Sequence, residues 1–391
     1  MRQERMMIKD FRNYKMVSLQ LSPQINVFYG QNGQGKTNFL EAVSYLVWGR
    51  SFRTHRDEEL IREGEGGFFL KGEFFEEETA SALTIEIGYN RQEFLARING
   101  KKYHKKRDLF GLVKVVTFSP DDLWLIKGGP AYRREFLDLY LSQAYPAYRN
   151  ALREYYRILQ QRNKLLKAFR EGKGNNQLLE TWTESFLESG SRLVLYRLRG
   201  LEEIRASLKE YHRWISGTKE EIDCNYWGCG AGRQLEQSAI AEEIDRCLRR
   251  RRGEEIKRGI TLAGPHRDDL ILTINRAHGY ANAHACTNGN DPEPTGMNIR
   301  NYGSQGQQRT AALALKMAMV DLLAREDKTP PLLLLDDVFS EFDDSRKKEL
   351  LKLLTTKTQT FITTTERETV KDLPGEIWFF HVKEGMILDR N

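Results

Sequence analysis

The segment Gly30-Gln31-Asn32-Gly33-Gln34-Gly35-Lys36-Thr37 restricts the fold of this chain more than any other stretch. It follows an apolar run, Ile25 to Tyr29, and precedes Asn38 to Trp48, which reads as an amphipathic helix. A GxxxxGK segment closed by Ser or Thr, set between strand and helix, curls its backbone N–H groups around phosphates at the positive end of the helix dipole. In that geometry Gly30 to Asn38 line a nucleotide, Lys36 reaches its β- and γ-phosphates, and Thr37 ligates Mg²⁺. An α/β fold with a phosphate-binding loop is the expectation.

Two distant segments complete such a site. Leu332 to Leu335 is an apolar strand ending in Asp336 and Asp337, the first suited to hold the metal and the second to orient or deprotonate a water. Ahead of it, Tyr302-Gly303-Ser304-Gln305-Gly306-Gln307-Gln308-Arg309 opens a helix running to about Glu326. Ser304, Gln305, Gly306 and Gln307 thus gather a hydroxyl, free N–H groups and a helix dipole in one place, which is an anion site.

The 391 residues leave room for two or three domains of about 100 to 200 residues. The net charge of +6 fits a local basic face better than a wholly basic coat. A mean hydropathy of −0.61 and the lack of a long apolar stretch exclude a spanning helix, and the N-terminus lacks a secretion signal, so an intracellular, cytoplasmic chain is expected. Cys224, Cys229, Cys247 and Cys286 have neither zinc-site nor disulfide spacing and read as ordinary thiols.

Residues 5–130 read mainly as strands, with Asn99-Gly100 as a type I′ hairpin turn. Two long helical stretches follow, 131–170 and 177–214, joined by the linker Glu171 to Asn176. Tyr148, Leu152, Tyr155, Leu159 and Leu166 form a narrow apolar seam, and Pro146 should break the first stretch. A third helix is expected near 234–251, an exposed loop at 278–298, and strands at 270–274, 359–363 and 376–381.

The order of phosphate loop, helical insertion, signature, two-carboxylate strand and Ser340-Glu341-Phe342-Asp343 resembles the SMC-like branch of the ATP-binding-cassette ATPases. Within it, Phe11-Arg12-Asn13-Tyr14, Ser51-Phe52-Arg53-Thr54, Phe118-Ser119-Pro120-Asp121-Asp122, Gly264-Pro265-His266-Arg267-Asp268-Asp269 and the signature wording are similar to the RecF family of bacterial recombination mediators. The resemblance implies an ATPase head of mixed sheets at 1–130 and 256–391, with an inserted helical arm at 131–255. It further implies weak, DNA-stimulated ATP hydrolysis, an ATP-dependent homodimer with the signature acting in trans, and Ser340 to Asp343 crossing to the partner subunit. It implies binding to double- and single-stranded DNA at gaps, and work with RecR and RecO in placing RecA. Transporter cassettes put Glu where Asp337 stands and end the next strand with a switch His. Here that strand ends Thr363-Thr364-Thr365, which points to slow hydrolysis and requires one of the three to face the γ-phosphate.

Arg149, Arg153 and Arg157 form one helical stripe, and Arg249, Arg250, Arg251 and Arg252 end the third helix; both are candidate DNA-phosphate contacts or solvated faces. Lys101, Lys102, Lys105, Lys106 and Arg107 form a third candidate. Arg53 and Arg56 either meet nucleotide or DNA or pair with Asp57, Glu58 or Glu59, and His266 lacks a second His at ligand spacing. The rival reading, an ATPase subunit energising a membrane partner, is opposed by the arm and the missing switch His.

Overall fold

A computed structural model describes residues 1–218, 220–230, 235–275, 296–325, 329–337, 358–371 and 373–390. Cys286, the loop expected at 278–298 in most of its length, and Ser340 to Asp343 lie outside them. The chain divides into two compact units, residues 1–121 with 323–391, and residues 122–322. Residues 256–322, expected with the head, therefore cluster with the helical insertion.

The first unit holds two six-stranded sheets. One is wholly antiparallel, in the order β2 (Tyr14–Gln20), β1 (Arg2–Phe11), β4 (Phe68–Glu76), β5 (Ser81–Asn90), β6 (Glu93–Ile98), β7 (Lys101–Tyr103). Asn99 and Gly100, at φ of 47° and 81°, make the expected turn between β6 and β7. The other has the order β15 (Met386–Arg390), β14 (Ile377–Lys383), β3 (Ile25–Tyr29), β13 (Thr360–Thr364), β12 (Leu332–Asp336), β8 (Val115–Phe118), parallel except for the β14–β15 hairpin. Its central strands are buried on both faces, which is why Leu332 to Leu335 is apolar without alternation.

Helix α1 (Lys36–Trp48) packs on strands of both sheets. It is buried from Phe39 to Trp48 without a break, so it is not the amphipathic helix its sequence suggested; a helix covered on two sides needs no polar stripe. Phe28 of β3 stacks on Phe39 of α1 at 4.0 Å and on Phe380 of β14 at 5.0 Å, fixing the helix against the parallel sheet.

The second unit begins with α2 (Trp124–Lys127), α3 (Pro130–Ala144), α4 (Pro146–Arg170) and α5 (Asn176–Ser216). The expected first stretch is thus two helices, parted at Tyr145, which is extended because Pro146 follows it. Asn175 caps α5 by accepting from the Leu178 N–H, and Gly217, at φ 64°, ends it. Helix α4 runs antiparallel to α5: Tyr148 meets Arg197 and Arg162 meets Thr183. Of the expected seam, Tyr148, Tyr155, Leu159 and Leu166 are buried. Then come β9 (Glu221–Trp227), α6 (Gln237–Arg258), β10 (Asp269–Asn275), β11 (Met297–Asn298), α7 (Ile299–Tyr302) and α8 (Gln305–Arg325), with β11, β10 and β9 in one antiparallel sheet. Helix α6 runs past the expected 251 and ends only at Gly259, φ 66°.

A buried polar network ties these elements together. Arg197, fully buried, donates to Tyr148, Tyr226, the Pro265 carbonyl and Asp138. Tyr226 in turn donates to Asp268 at 2.8 Å. His266 is held by Tyr155 at 2.6 Å and the Thr261 carbonyl at 3.1 Å, and burial pushes its pKa down to about 4. The neutral ring therefore donates from Nε2 to Thr261 and accepts at Nδ1 from Tyr155, a structural role with neither nitrogen left for a metal.

Burial pushes Asp268 up to about 7, against the opposing pull of Tyr226 and Arg197. A carboxyl raised on folding contributes stability that is complete below its unfolded pKa and is lost as pH rises through 7. Neighbouring His266, lowered on folding, contributes the opposite slope between about pH 4 and 6.5, so the two largely cancel in the wild type and the Asp268 contribution shows in the difference between wild type and an Asp268 variant. Relative to wild type, the unfolding free energy of Asp268→Asn from urea titrations should rise with pH between about 4 and 7 by up to one proton's linkage, about 1.4 kcal/mol per pH unit; an unchanged pH dependence would place the proton elsewhere.

Candidate nucleotide site

The loop from Gly30 to Gly35 leaves β3 at the carboxyl edge of the parallel sheet, where α/β sheets receive their ligands. Its backbone needs glycine at two points. Gly30, at φ 144°, would place a Cβ 2.4 Å from the Val382 carbonyl oxygen, and Gly35, at φ 113°, would place one 2.6 Å from the Asn13 amide. Asn13 occupies that space: it donates to the Gln34 carbonyl at 2.9 Å and accepts from Asn38 at 2.9 Å. Tyr14 donates to the Gly35 carbonyl at 3.0 Å, and the Gly385 and Glu384 N–H groups hold Gln34 from the other side. Gln31, Asn32 and Gly33 stay exposed at the mouth.

Lys36 arches back over this loop, donating to the carbonyls of Gly30 at 2.6 Å and Gln31 at 2.8 Å. Burial pulls its pKa below the ordinary lysine value, while Asp337 and Asp336 pull the other way. The adjoining strand ends bring the carboxylates in. Asp336 Oδ1 accepts from Thr37 Oγ1 and from Thr363 Oγ1, both at 2.7 Å, and Thr363 also accepts from the Asp337 N–H at 3.0 Å. Asp337 sits at φ 47°, in the left-handed region, and that hydrogen bond helps to hold it there.

Of the three threonines weighed as the switch residue, Thr363 is buried and engaged with the carboxylate strand, Thr364 closes a turn onto Glu366, and Thr365 is exposed. A hydroxyl and a carboxylate converging at 2.7 Å form a hard oxygen donor set, which fits Mg²⁺. Among the described residues, no cluster of His, Cys, Asp and Glu forms a separate metal centre.

In the second unit Ser304 and Gln307 form a reciprocal cap on α8. Ser304 Oγ accepts from the Gln307 N–H at 3.2 Å, and Gln307 Oε1 accepts from the Ser304 N–H at 2.9 Å. Ser304, Gln305 and Gly306 are exposed.

A family model described as the RecF/RecN/SMC N terminal domain matches residues 3–387. The DNA replication and repair protein RecF of Halothermothrix orenii is 39% identical over 390 residues, covering 98% of each chain. The chain belongs to the RecF family. Another RecF, from Natranaerobius thermophilus, is 36% identical over 98% of this chain and 97% of its own. The solved structure of the recombination mediator protein RecF-ATP in the RecFOR pathway matches with a TM-score of 0.87 and 33% identity, over 100% of this chain and 97% of that one. The Smc head domain of Pyrococcus furiosus, 17% identical with a TM-score of 0.57, shares the fold of the ATPase head. The expected α/β head of the SMC and RecF type is therefore the fold of this RecF-family chain.

Two RecF-like motifs turn out to meet at a buried carboxylate that the sequence did not single out. Glu41 of α1, fully buried, takes a two-pronged contact from Arg12 at 2.7 and 2.9 Å, and contacts from Ser51 at 2.5 Å and Arg53 at 3.3 Å. Arg53 thus pairs with Glu41 rather than with Asp57, Glu58 or Glu59, and also donates to Asn38 at 3.0 Å beside the loop. A lone Glu inside an otherwise apolar helix was the signal available for it.

The candidate basic clusters differ in how committed their charges are. Arg153 and Arg157 are exposed and, among the described residues, have no carboxylate partner, whereas Arg149 is half-buried. Arg249 pairs with Asp245, Arg251 donates to the Leu262 carbonyl, and Arg252 lies against Glu180 and Asn176; Arg250 is exposed. Lys106 is bound to Asp57 and lies over Tyr45 and Phe94, so it serves the fold, while Lys101, Lys102, Lys105 and Arg107 are exposed. No helix among the described residues is long and apolar enough to cross a membrane.

Proposed function

We propose that this chain is an ATP-switched DNA-binding ATPase of recombinational repair, acting as the RecF proteins it resembles are named to act. The observation that carries the reading is the convergence of Thr37, Asp336 and Thr363 in one hydrogen-bonded set, next to Lys36 and Asp337. Thr37 and Asp336 would hold Mg²⁺, which offsets charge on the β- and γ-phosphate oxygens when bound. Lys36 would exchange the Gly30 and Gln31 carbonyls for phosphate oxygens. Asp337 would orient and deprotonate the attacking water, and Thr363 keeps Asp337 in place through its N–H.

Two heads would then close on ATP, each offering its phosphate loop to one nucleotide and Ser304, Gln305, Gly306 and Gln307 to the partner's. Closure brings two basic surfaces onto duplex or gapped DNA, and slow hydrolysis releases them. RecR and RecO, and through them RecA, are the protein partners this reading assigns. Arg149, Arg153 and Arg157, with Arg249 to Arg252, are the assigned phosphate contacts, and the exposure of Arg153, Arg157 and Arg250, which have no carboxylate partner among the described residues, favours those three.

Filter retention of duplex, single-stranded and gapped DNA, with and without ATP over a salt series, tests the proposal. ATP should raise retention severalfold, and Asp337→Asn, which keeps the shape but loses the base, should hold DNA longest while hydrolysing slowly. Arg153→Glu with Arg157→Glu removes two contacts from each head and should lower the salt slope of the closed dimer by about four, because each phosphate contact releases about one counterion. Retention indifferent to ATP in both wild type and Asp337→Asn would refute the switch.

A further inference from the structure

Helix α8 is held at both ends, by α5 and by the residue that leads into β9. Near its C-terminus Asp321 accepts from Ser207 at 2.7 Å and Tyr211 at 2.8 Å, both on α5. At its N-terminus Gln307 donates through Nε2 to both carboxylate oxygens of Glu220, at 3.0 Å each, just beyond the end of α5. That second contact decides which way the Gln307 amide faces. A carboxylate only accepts, so Nε2 must point to Glu220, and Oε1 is thereby turned to the Ser304 N–H. With the amide reversed, Nε2 would meet the Ser304 N–H, donor against donor, and the reciprocal cap would be lost. With the cap intact, the Ser304 oxygen is used as an acceptor for the Gln307 N–H, and its hydroxyl hydrogen remains to donate outwards.

We infer that Glu220 is a positioning residue for the signature: it orients Gln307, and through Gln307 it sets the Ser304 hydroxyl for a phosphate oxygen of ATP held by a second copy of the chain. The inference rests on the proposed role of the signature in trans. Glu220 itself touches no nucleotide.

The test compares Glu220→Ala and Glu220→Gln with wild type in the full-length protein, measuring affinity for a fluorescent ATP analogue, kcat, KM and Tm. Glu220→Ala should lower kcat by about tenfold, within the loss that a misplaced catalytic group brings. ATP affinity should hold, since the phosphate loop is untouched, and Tm should fall only by the few degrees that the lost hydrogen bonds bring. Glu220→Gln should recover most of kcat, because its amide oxygen still accepts from Gln307. A wild-type kcat in Glu220→Ala overturns the inference, as does an equal loss in Glu220→Gln or a loss of kcat accompanied by a fall in Tm much larger than those few degrees. Ser304→Arg, measured alongside, separates the two levels. If it turns over ATP normally, the signature reading fails and the inference with it; if it is inactive while Glu220→Ala is normal, only the role of Glu220 falls.

Discussion

Lys36→Ala should lose ATP affinity by roughly a hundredfold or more while the chain stays folded. The ammonium makes two hydrogen bonds, to the Gly30 and Gln31 carbonyls, and it lies within the field of Asp336 and Asp337. Exchanging those carbonyls for phosphate oxygens turns neutral acceptors into charged ones, and a charge-assisted hydrogen bond is worth about 1.5 to 3 kcal/mol. Loss of one or two such bonds accounts for the expected drop. The fold should survive for reasons visible around the loop. Gln31 is exposed, so water can take the place of the ammonium there, and the loop is held independently by Asn13, Tyr14, Glu384 and Gly385. Equilibrium dialysis with labelled ATP, beside a circular-dichroism melt, checks both halves. Wild-type affinity in a folded Lys36→Ala chain would remove the nucleotide from this loop.

What the sequence made legible was local. The phosphate loop, the carboxylate strand, the Asn99-Gly100 turn and the break at Pro146 each follow from a few neighbouring residues whose backbone preferences point one way. Features set by distant contacts were not legible. Whether Asn38 to Trp48 is amphipathic depends on a second sheet packing on α1, and the partner of Arg53 is decided by a glutamate buried in that helix. Asn13 belongs to a segment the resemblance marked, but its contact with Gly35 is set by the fold. In the run Arg249 to Arg252, the pairing of Arg249 with Asp245 one turn earlier lies within the helix, but Glu180, Asn176 and Leu262, which meet Arg252 and Arg251, lie on other segments and could not be read from the run itself. Thr363 shows the same limit from the other side: the strand it ends was recognisable, but its bond to Asp336 exists only because β13 and β12 are neighbours in register.

Ser304→Arg should bind ATP as a monomer and fail both to dimerise and to hydrolyse it. Ser304 stands at the start of a 21-residue helix, exposed, with its oxygen tied to the Gln307 N–H and its hydroxyl hydrogen directed outwards in the proposed arrangement. Arginine at this position removes the cap acceptor and sets a long side chain where a partner's γ-phosphate is proposed to dock. The phosphate loop of the same chain is unaltered, so ATP affinity measured on the monomer should equal that of the wild type. Mixing separates a shared site from an ordinary folding defect. In a heterodimer of Ser304→Arg and Lys36→Ala chains, one composite site pairs the intact loop of the first with the intact signature of the second, and the other site carries both lesions. Sedimentation velocity with ATP should therefore show partial dimer in the mixture and none in either variant alone, with ATP turnover returning to at most about half the wild-type level for one working site in two. Dimerisation of Ser304→Arg by itself, at wild-type ATP concentrations, would refute the shared site. Failure of the mixture to dimerise while both chains remain folded would refute it too, because complementation is what two half-sites on separate chains require.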